Sequence, residues 1–153
     1  MTQATGAMSA SGMYVGVSTD NSTWFDASGY ATSVEISGGD RQTGTVFTFD
    51  GDYPILKAGK RDVITVTIRY VYTESTAQAY TKAKTAYEAG TSFYVRWSPG
   101  GGDAGEIGYT TGSGYIKNPP YAVGDAASGE PILCETQVEC AYVTAAAIGT
   151  AGW

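Results

Sequence analysis

The residue types that usually carry chemistry are thinly represented in this sequence. There is no histidine, which removes the commonest general base and the commonest metal ligand. No Ser/His/Asp or Cys/His arrangement can be built without one. The two cysteines, Cys134 and Cys140, lack the close spacing and histidine partners of a zinc site. Both fall in one predicted strand, where they would stand about 20 Å apart, far beyond disulfide reach. They read as two buried thiols of a protein made in a reducing cytoplasm. Asp50-Gly51-Asp52 brings two acids together, but the further acids and closing glutamate of an EF-hand loop are missing. A turn with solvated carboxylates fits it better. Gly100-Gly101-Gly102 lacks the Lys-Ser/Thr of a phosphate loop and precedes no predicted helix. Nothing selects a glycosidase pair among the fifteen acids. The chain therefore reads as no enzyme, with no metal and no cofactor.

The elements around these residues describe a small β protein. At 153 residues the chain suits one domain. A hydrophobic fraction of 42% argues against wholesale disorder. The 21 Gly and 12 Tyr fit many short strands joined by glycine-rich turns, and tyrosine also suits protein–protein contact. Nine basic and fifteen acidic side chains give a net charge of −6, a poor basis for gripping nucleic acid. No base follows Lys117, whereas Lys57, Lys60 and Arg61 cluster. By itself such a cluster reads as a solvated loop. The first residues have neither a basic nor an apolar signal region, and no run is long enough to span a bilayer.

Residues 1–12 are small and polar and read as a flexible arm, followed by one domain over 13–143 and a small-residue tail over 144–153. Met13 to Val17 begins the strands. Tyr30, Thr32, Val34 and Ile36 then alternate with Ala31, Ser33, Glu35 and Ser37 at the strand period of two. A long excursion spans 37–60. It opens with Gly38-Gly39-Asp40 and turns at Asp50-Gly51, which predicts a hairpin. Phe47, Phe49, Tyr53, Ile55 and Leu56 are many apolar groups for a loop. They must fold back on their own core or bury against another subunit. Arg61 to Thr73 is the clearest strand, with Ile64, Val66, Ile68, Tyr70 and Tyr72 on one face. A helix is predicted over 75–89, with Ser75 and Gln78 as a capping box and Gly90 as the stop. Its apolar face would carry Ala77, Tyr80, Ala83 and Tyr87. Phe93, Val95 and Trp97 mark another strand, and Glu106 to Lys117 is strand-like but broken by glycine. A last strand is predicted from Ile132 to Val143, with Glu135, Gln137 and Glu139 on its polar face. The sum is mainly β: an antiparallel sandwich or barrel of about seven or eight strands with one α-helix packed on it.

Three stretches resemble the tail tube (major tail) proteins of siphophages. They are Gly38-Gly39-Asp40-Arg41 leading to Thr48-Phe49-Asp50-Gly51-Asp52-Tyr53-Pro54-Ile55; Gly59-Lys60-Arg61-Asp62 and the strand after it; and Phe93-Tyr94-Val95-Arg96-Trp97-Ser98-Pro99-Gly100-Gly101. The resemblance implies hexameric rings stacked into a hollow tube that conducts DNA during ejection. It implies an assembly loop reaching neighbouring subunits, here Arg41, Phe47, Phe49, Asp50, Asp52, Tyr53, Ile55, Leu56, Lys57, Lys60 and Arg61. Glu135, Gln137 and Glu139 become candidates for the lumen wall, where acids would repel phosphate. Implied partners are further copies of the chain, tail-tip initiator and terminator proteins, the tape measure protein and transiting DNA held without specific binding; no membrane is involved. The implied location is the virion tail, after synthesis in the host bacterial cytoplasm. A capsid decoration protein, and a monomeric carbohydrate-binding or adhesion module using Trp24, Trp97 and Tyr109, are the alternatives.

Overall fold

The computed structural model describes residues 8–73, 78–124 and 129–153. Two antiparallel sheets face each other, and a two-stranded ribbon stands apart from both. The five-stranded sheet runs β11 (Val143–Ala147), β8 (Ile107–Thr111), β7 (Tyr94–Ser98), β1 (Tyr14–Ser18), β2 (Phe25–Asp26). The four-stranded sheet runs β3 (Ala31–Gly38), β6 (Ile64–Val71), β10 (Leu133–Cys140), β9 (Gly114–Ile116). The ribbon pairs β4 (Arg41–Val46) with β5 (Ile55–Arg61). The fold is thus the expected mainly β sandwich with one helix, divided into more and shorter strands than the pattern suggested.

Side-chain alternation builds the core. Val66, Ile68 and Tyr70 of β6 and Cys134, Thr136 and Val138 of β10 point inward and are buried. From the other sheet come Val15 and Val17, which sit opposite Trp97 and Val95. Phe93 lies among them at 1% exposure. Thr136 is polar and yet fully inside, because its hydroxyl meets the buried Tyr70 phenol at 2.6 Å. A buried hydroxyl pair satisfies itself. Burial pushes up the Tyr70 phenol and both thiols, Cys134 and Cys140. The thiols are free and face inward from one strand, as their even spacing required.

The helix α1 spans Ala79–Ala89, later than the capping box suggested. Gln78 is extended, makes no side-chain cap, and donates its amide to the Tyr30 hydroxyl at 3.2 Å. Ser75 lies outside the described residues. Gly90 ends the helix in the left-handed conformation, as expected. The buried stripe is Ala79, Ala83 and Ala86. Small side chains let the helix backbone come close to the core. Tyr80 and Tyr87 flank that stripe and meet Tyr72 and Tyr121 edge-on.

The C-terminal part departs most from expectation. The predicted strand 132–143 breaks at Ala141-Tyr142: β10 belongs to one sheet, and β11 pairs with β8 in the other. Residues expected as a tail therefore complete the sandwich. Trp153 covers the outer face of the five-stranded sheet, where a side chain on Gly108 would collide with its indole. The Arg96 guanidinium lies 4.5 Å from the Trp24 ring centre, 4.8 Å from that of Trp153 and 5.2 Å from that of Tyr14. Cation–π attraction ties the three rings to the sheet.

Candidate assembly surface

The ribbon is a continuation of the β3–β6 pair. β3 ends at Gly38 and β4 begins at Arg41, while β5 ends at Arg61 and β6 begins at Ile64. The corner between them is held by the Gly39 amide on the Val63 carbonyl at 3.0 Å and the Asp62 amide on the Asp40 carbonyl at 2.9 Å. Gly38 and Gly39 both adopt φ of 76°. A Cβ on Gly38 would stand 2.5 Å from the Val63 carbonyl oxygen. Only glycine fits both the dihedral and the space. Gly38→Val is therefore expected to cost about 1–3 kcal/mol in strain and to re-aim the ribbon. A lowered denaturation midpoint would report it.

Within the ribbon, Val46 faces Ile55, Thr45 faces Leu56, Gly44 faces Lys57 and Thr43 faces Ala58. The register then slips, so that Arg41 faces Arg61. Like charges directly opposite repel, and Arg41 turns its guanidinium to the Gly59 carbonyl at 3.0 Å. Lys57, Lys60 and Arg61 thus lie on a strand and not in a loop. Every residue of β4 and β5 is exposed. At the tip Phe47 is 72% exposed, Tyr53 86%, and Phe49 entirely so. Leu56 adds a fourth large apolar group at 66%. An isolated two-stranded hairpin is marginal in water, and one with apolar groups on its surface lacks a partner.

The polar candidates lie elsewhere, on the outer face of the four-stranded sheet. Glu135 is opposite Arg69, Gln137 opposite Thr67 and Glu139 opposite Thr65. Arg69 bridges Glu35 at 2.7 Å and Glu135 at 2.9 Å, and Lys117 bridges Glu139 at 2.7 Å. The Gln137 amide also donates to Glu135 at 2.7 Å. The face is therefore not the bare acidic strip that the strand alone suggested. Sheet neighbours bring two cations to three carboxylates. The Gln137 amide, and then Arg69, hold the Glu135 carboxyl below its usual range. Such a depressed carboxyl stabilises the fold above its unfolded pKa, and that contribution is lost as pH falls through the folded value. A carbon-13 NMR titration should find Glu135 ionised below the ordinary glutamate midpoint of about 4.3. Arg69→Gln should move it back up.

Clefts open near one end of this sheet. One is lined by Met13, Val15, Ala31, Thr32 and Val34. Another is lined by Tyr121, Val123 and Leu133 with Arg69 and Glu135. The second apolar surface, formed by Tyr121, Val123, Ile132 and Leu133, is exposed and was not singled out in the sequence. Tyr121 and Val123 follow Pro119-Pro120 while Ile132 and Leu133 stand where β10 begins, so no period links them. The aromatic groups suited to a sugar platform are largely engaged. Trp97 is buried and stacks on Tyr109 at 5.4 Å, and Trp24 lies against Arg96. Among the described residues there is no cluster of three metal-ligating side chains, and no helix is long and apolar enough to cross a membrane.

The fold of this chain is similar to that of chains in several solved structures of tail-like particles. A chain in the cryo-EM structure of the anti-feeding prophage cap, a tube-terminating cap, matches with a TM-score of 0.64 and 14% identity, covering 96% of this chain and 95% of its own. A chain in the tail of an empty gene transfer agent particle, refined helically with C6 symmetry, matches with a TM-score of 0.66 and 12% identity, over 92% and 98%. A chain in the sheath–tube complex of an extracellular contractile injection system matches with a TM-score of 0.62 and 14% identity, over 94% and 93%. At these identities the likeness establishes the fold. No protein-family model and no curated protein matches the chain.

Proposed function

We propose that this chain is a tail tube protein of the non-contractile, siphophage type. Copies close into rings, hexameric by family resemblance, and the rings stack into a hollow tube that conducts DNA during ejection. The observation that carries this reading is the ribbon: a glycine corner carries Phe47, Phe49, Tyr53 and Leu56 away from the sandwich core and presents them to solvent. Exposed apolar surface of this kind is usual where a subunit meets another. The end-to-end likeness to chains from tail, tube and cap structures supports it. The same reading makes the particle tail its location, following synthesis in the host bacterial cytoplasm. Its partners are the tail-tip initiator, the terminator, the tape measure protein and passing DNA.

In this reading the four-stranded sheet lines the lumen with its polar face. Charge balance there would let DNA pass without adhering. Replacing Glu135, Gln137 and Glu139 together by lysine should slow DNA ejection while leaving tube length intact; unchanged infectivity would remove the lumen assignment.

Negative-stain electron microscopy at rising protein concentration tests the whole proposal, with high salt to screen the net negative charge. Hollow filaments or stacked rings are expected. Discrete trimers that bind shells would identify a capsid decoration protein instead. Monomers that persist even when seeded with tail-tip complexes would overturn the tube reading.

A further inference from the structure

Among the described residues, the exposed apolar ribbon tip and the exposed Tyr121–Val123–Ile132–Leu133 patch lie at opposite ends of the four-stranded sheet. At one end of β6, Ile64 sits between Gly38 and Cys140, and the ribbon departs from there. At the other end Val71 sits opposite Leu133, and Leu133 is bridged to Val123. The two ends are about 23 Å apart along β6 at strand rise. The cleft at the second end has a volume of about 470 Å³; Tyr121, Val123 and Leu133 form its apolar side, and Asn118 with the Arg69–Glu135 ion pair forms its polar side, at the edge of the outer sheet face. Ile132 adds to the same exposed patch. Neither surface covers the other within one chain.

We propose that the aromatic tip of the ribbon, Phe47, Phe49 and Tyr53, seats in the Tyr121–Val123–Leu133 cleft of a second copy. The inference rests on the tube reading and names the contact that would join successive copies. Two observations favour a second copy as occupant. First, the surfaces are unlike: one is a projecting knob and the other a cleft. A tip-to-tip pair would close after two copies and leave both clefts open, whereas tip-to-cleft contact uses both surfaces of every copy and propagates head to tail, from one ring to the next in the tube. Second, the charges match. Lys57 and Lys60 on the ribbon have no ion-pair partner among the described residues, and neither has Glu130, which lies just before Ile132. Seating the tip in the cleft would carry the basic stem toward that acid.

Disulfide trapping tests the contact. Phe49→Cys and Val123→Cys are combined in one chain, at two exposed positions whose replacement leaves the core untouched. The protein is concentrated in high salt and oxidised with copper–phenanthroline. A ladder of covalent multimers on a non-reducing gel is expected, lost on reduction. Oxidised wild type should stay monomeric, because Cys134 and Cys140 are buried. No ladder overturns the proposal. So does a lone Phe49→Cys variant that stops at dimers, which reports tip-to-tip contact. A ladder formed only when Phe49→Cys is paired with Thr32→Cys overturns it too, by moving the receptor to the other cleft. Micrographs of the same samples judge the tube separately. Tubes without a ladder remove this contact alone, and a ladder without tubes keeps the contact and counts against the tube.

Discussion

Replacing Phe47 and Phe49 by aspartate is expected to leave the monomer as stable as before and to abolish its assembly. Both side chains stand in solvent, so the folded chain loses almost no buried area. Exposed substitutions of this kind stay within about 0.5 kcal/mol. Thermal and chemical unfolding should be unchanged. In an assembled tube the same two rings would be buried at a contact between copies. Aromatic anchors at such contacts contribute about 2 kcal/mol or more each. Two lost together weaken each contact roughly a thousand-fold, and the aspartates add the cost of burying unpaired charge. Filaments should then vanish from micrographs at any attainable concentration. Filaments of normal length from the double variant would show that the tip takes no part in assembly.

A third phenylalanine should behave in the opposite way. Phe93 is 1% exposed and packs between the sheets with Val15, Val95 and Val138. Phe93→Ala removes the ring and leaves a cavity that the surrounding strands fill only in part. Changes of this type cost about 3–5 kcal/mol, a large share of the roughly 5–15 kcal/mol that holds a domain together. The denaturant midpoint should fall steeply with an unchanged slope. What remains folded should still assemble, because the ribbon is untouched. A midpoint shift worth less than about 1 kcal/mol would contradict this packing. The contrast between Phe93 and Phe49 separates holding the sandwich together from joining copies, with the residue type held constant.

Much of this division was legible locally. The alternation Ile64, Val66, Ile68, Tyr70 marked the buried face of β6, because a strand turns successive side chains to opposite faces whatever its neighbours. Gly38-Gly39 opened the excursion and Asp50-Gly51 predicted its hairpin; the strands do return, but through the longer connection between Val46 and Ile55 and not a two-residue turn, with Gly38, Gly39 and Gly51 at positive φ. The lack of histidine and the isolation of the two cysteines followed from composition. The excursion over 37–60 was likewise recognisable by its apolar residues, though not as a two-stranded ribbon.

The remainder depended on contacts between distant parts of the chain. The helix starts at Ala79, and Gln78 before it is extended and bonded to Tyr30, far away in sequence, a contact that the local capping pattern did not register. The chain changes sheet between Cys140 and Val143 because β8 offers β11 an edge to pair with; strand propensity carries no mark of which neighbour a strand will find. Glu135 and Glu139 read as bare acids along one strand, and only pairing with β6 and β9 brings Arg69 and Lys117 beside them. The cleft of Tyr121, Val123 and Leu133 forms from segments with no common period. Strand and turn preferences act over a few residues, so one sequence window holds them. Strand order, charge pairing and clefts arise from closing long loops, and their free energy belongs to residues that meet only when the whole sandwich folds.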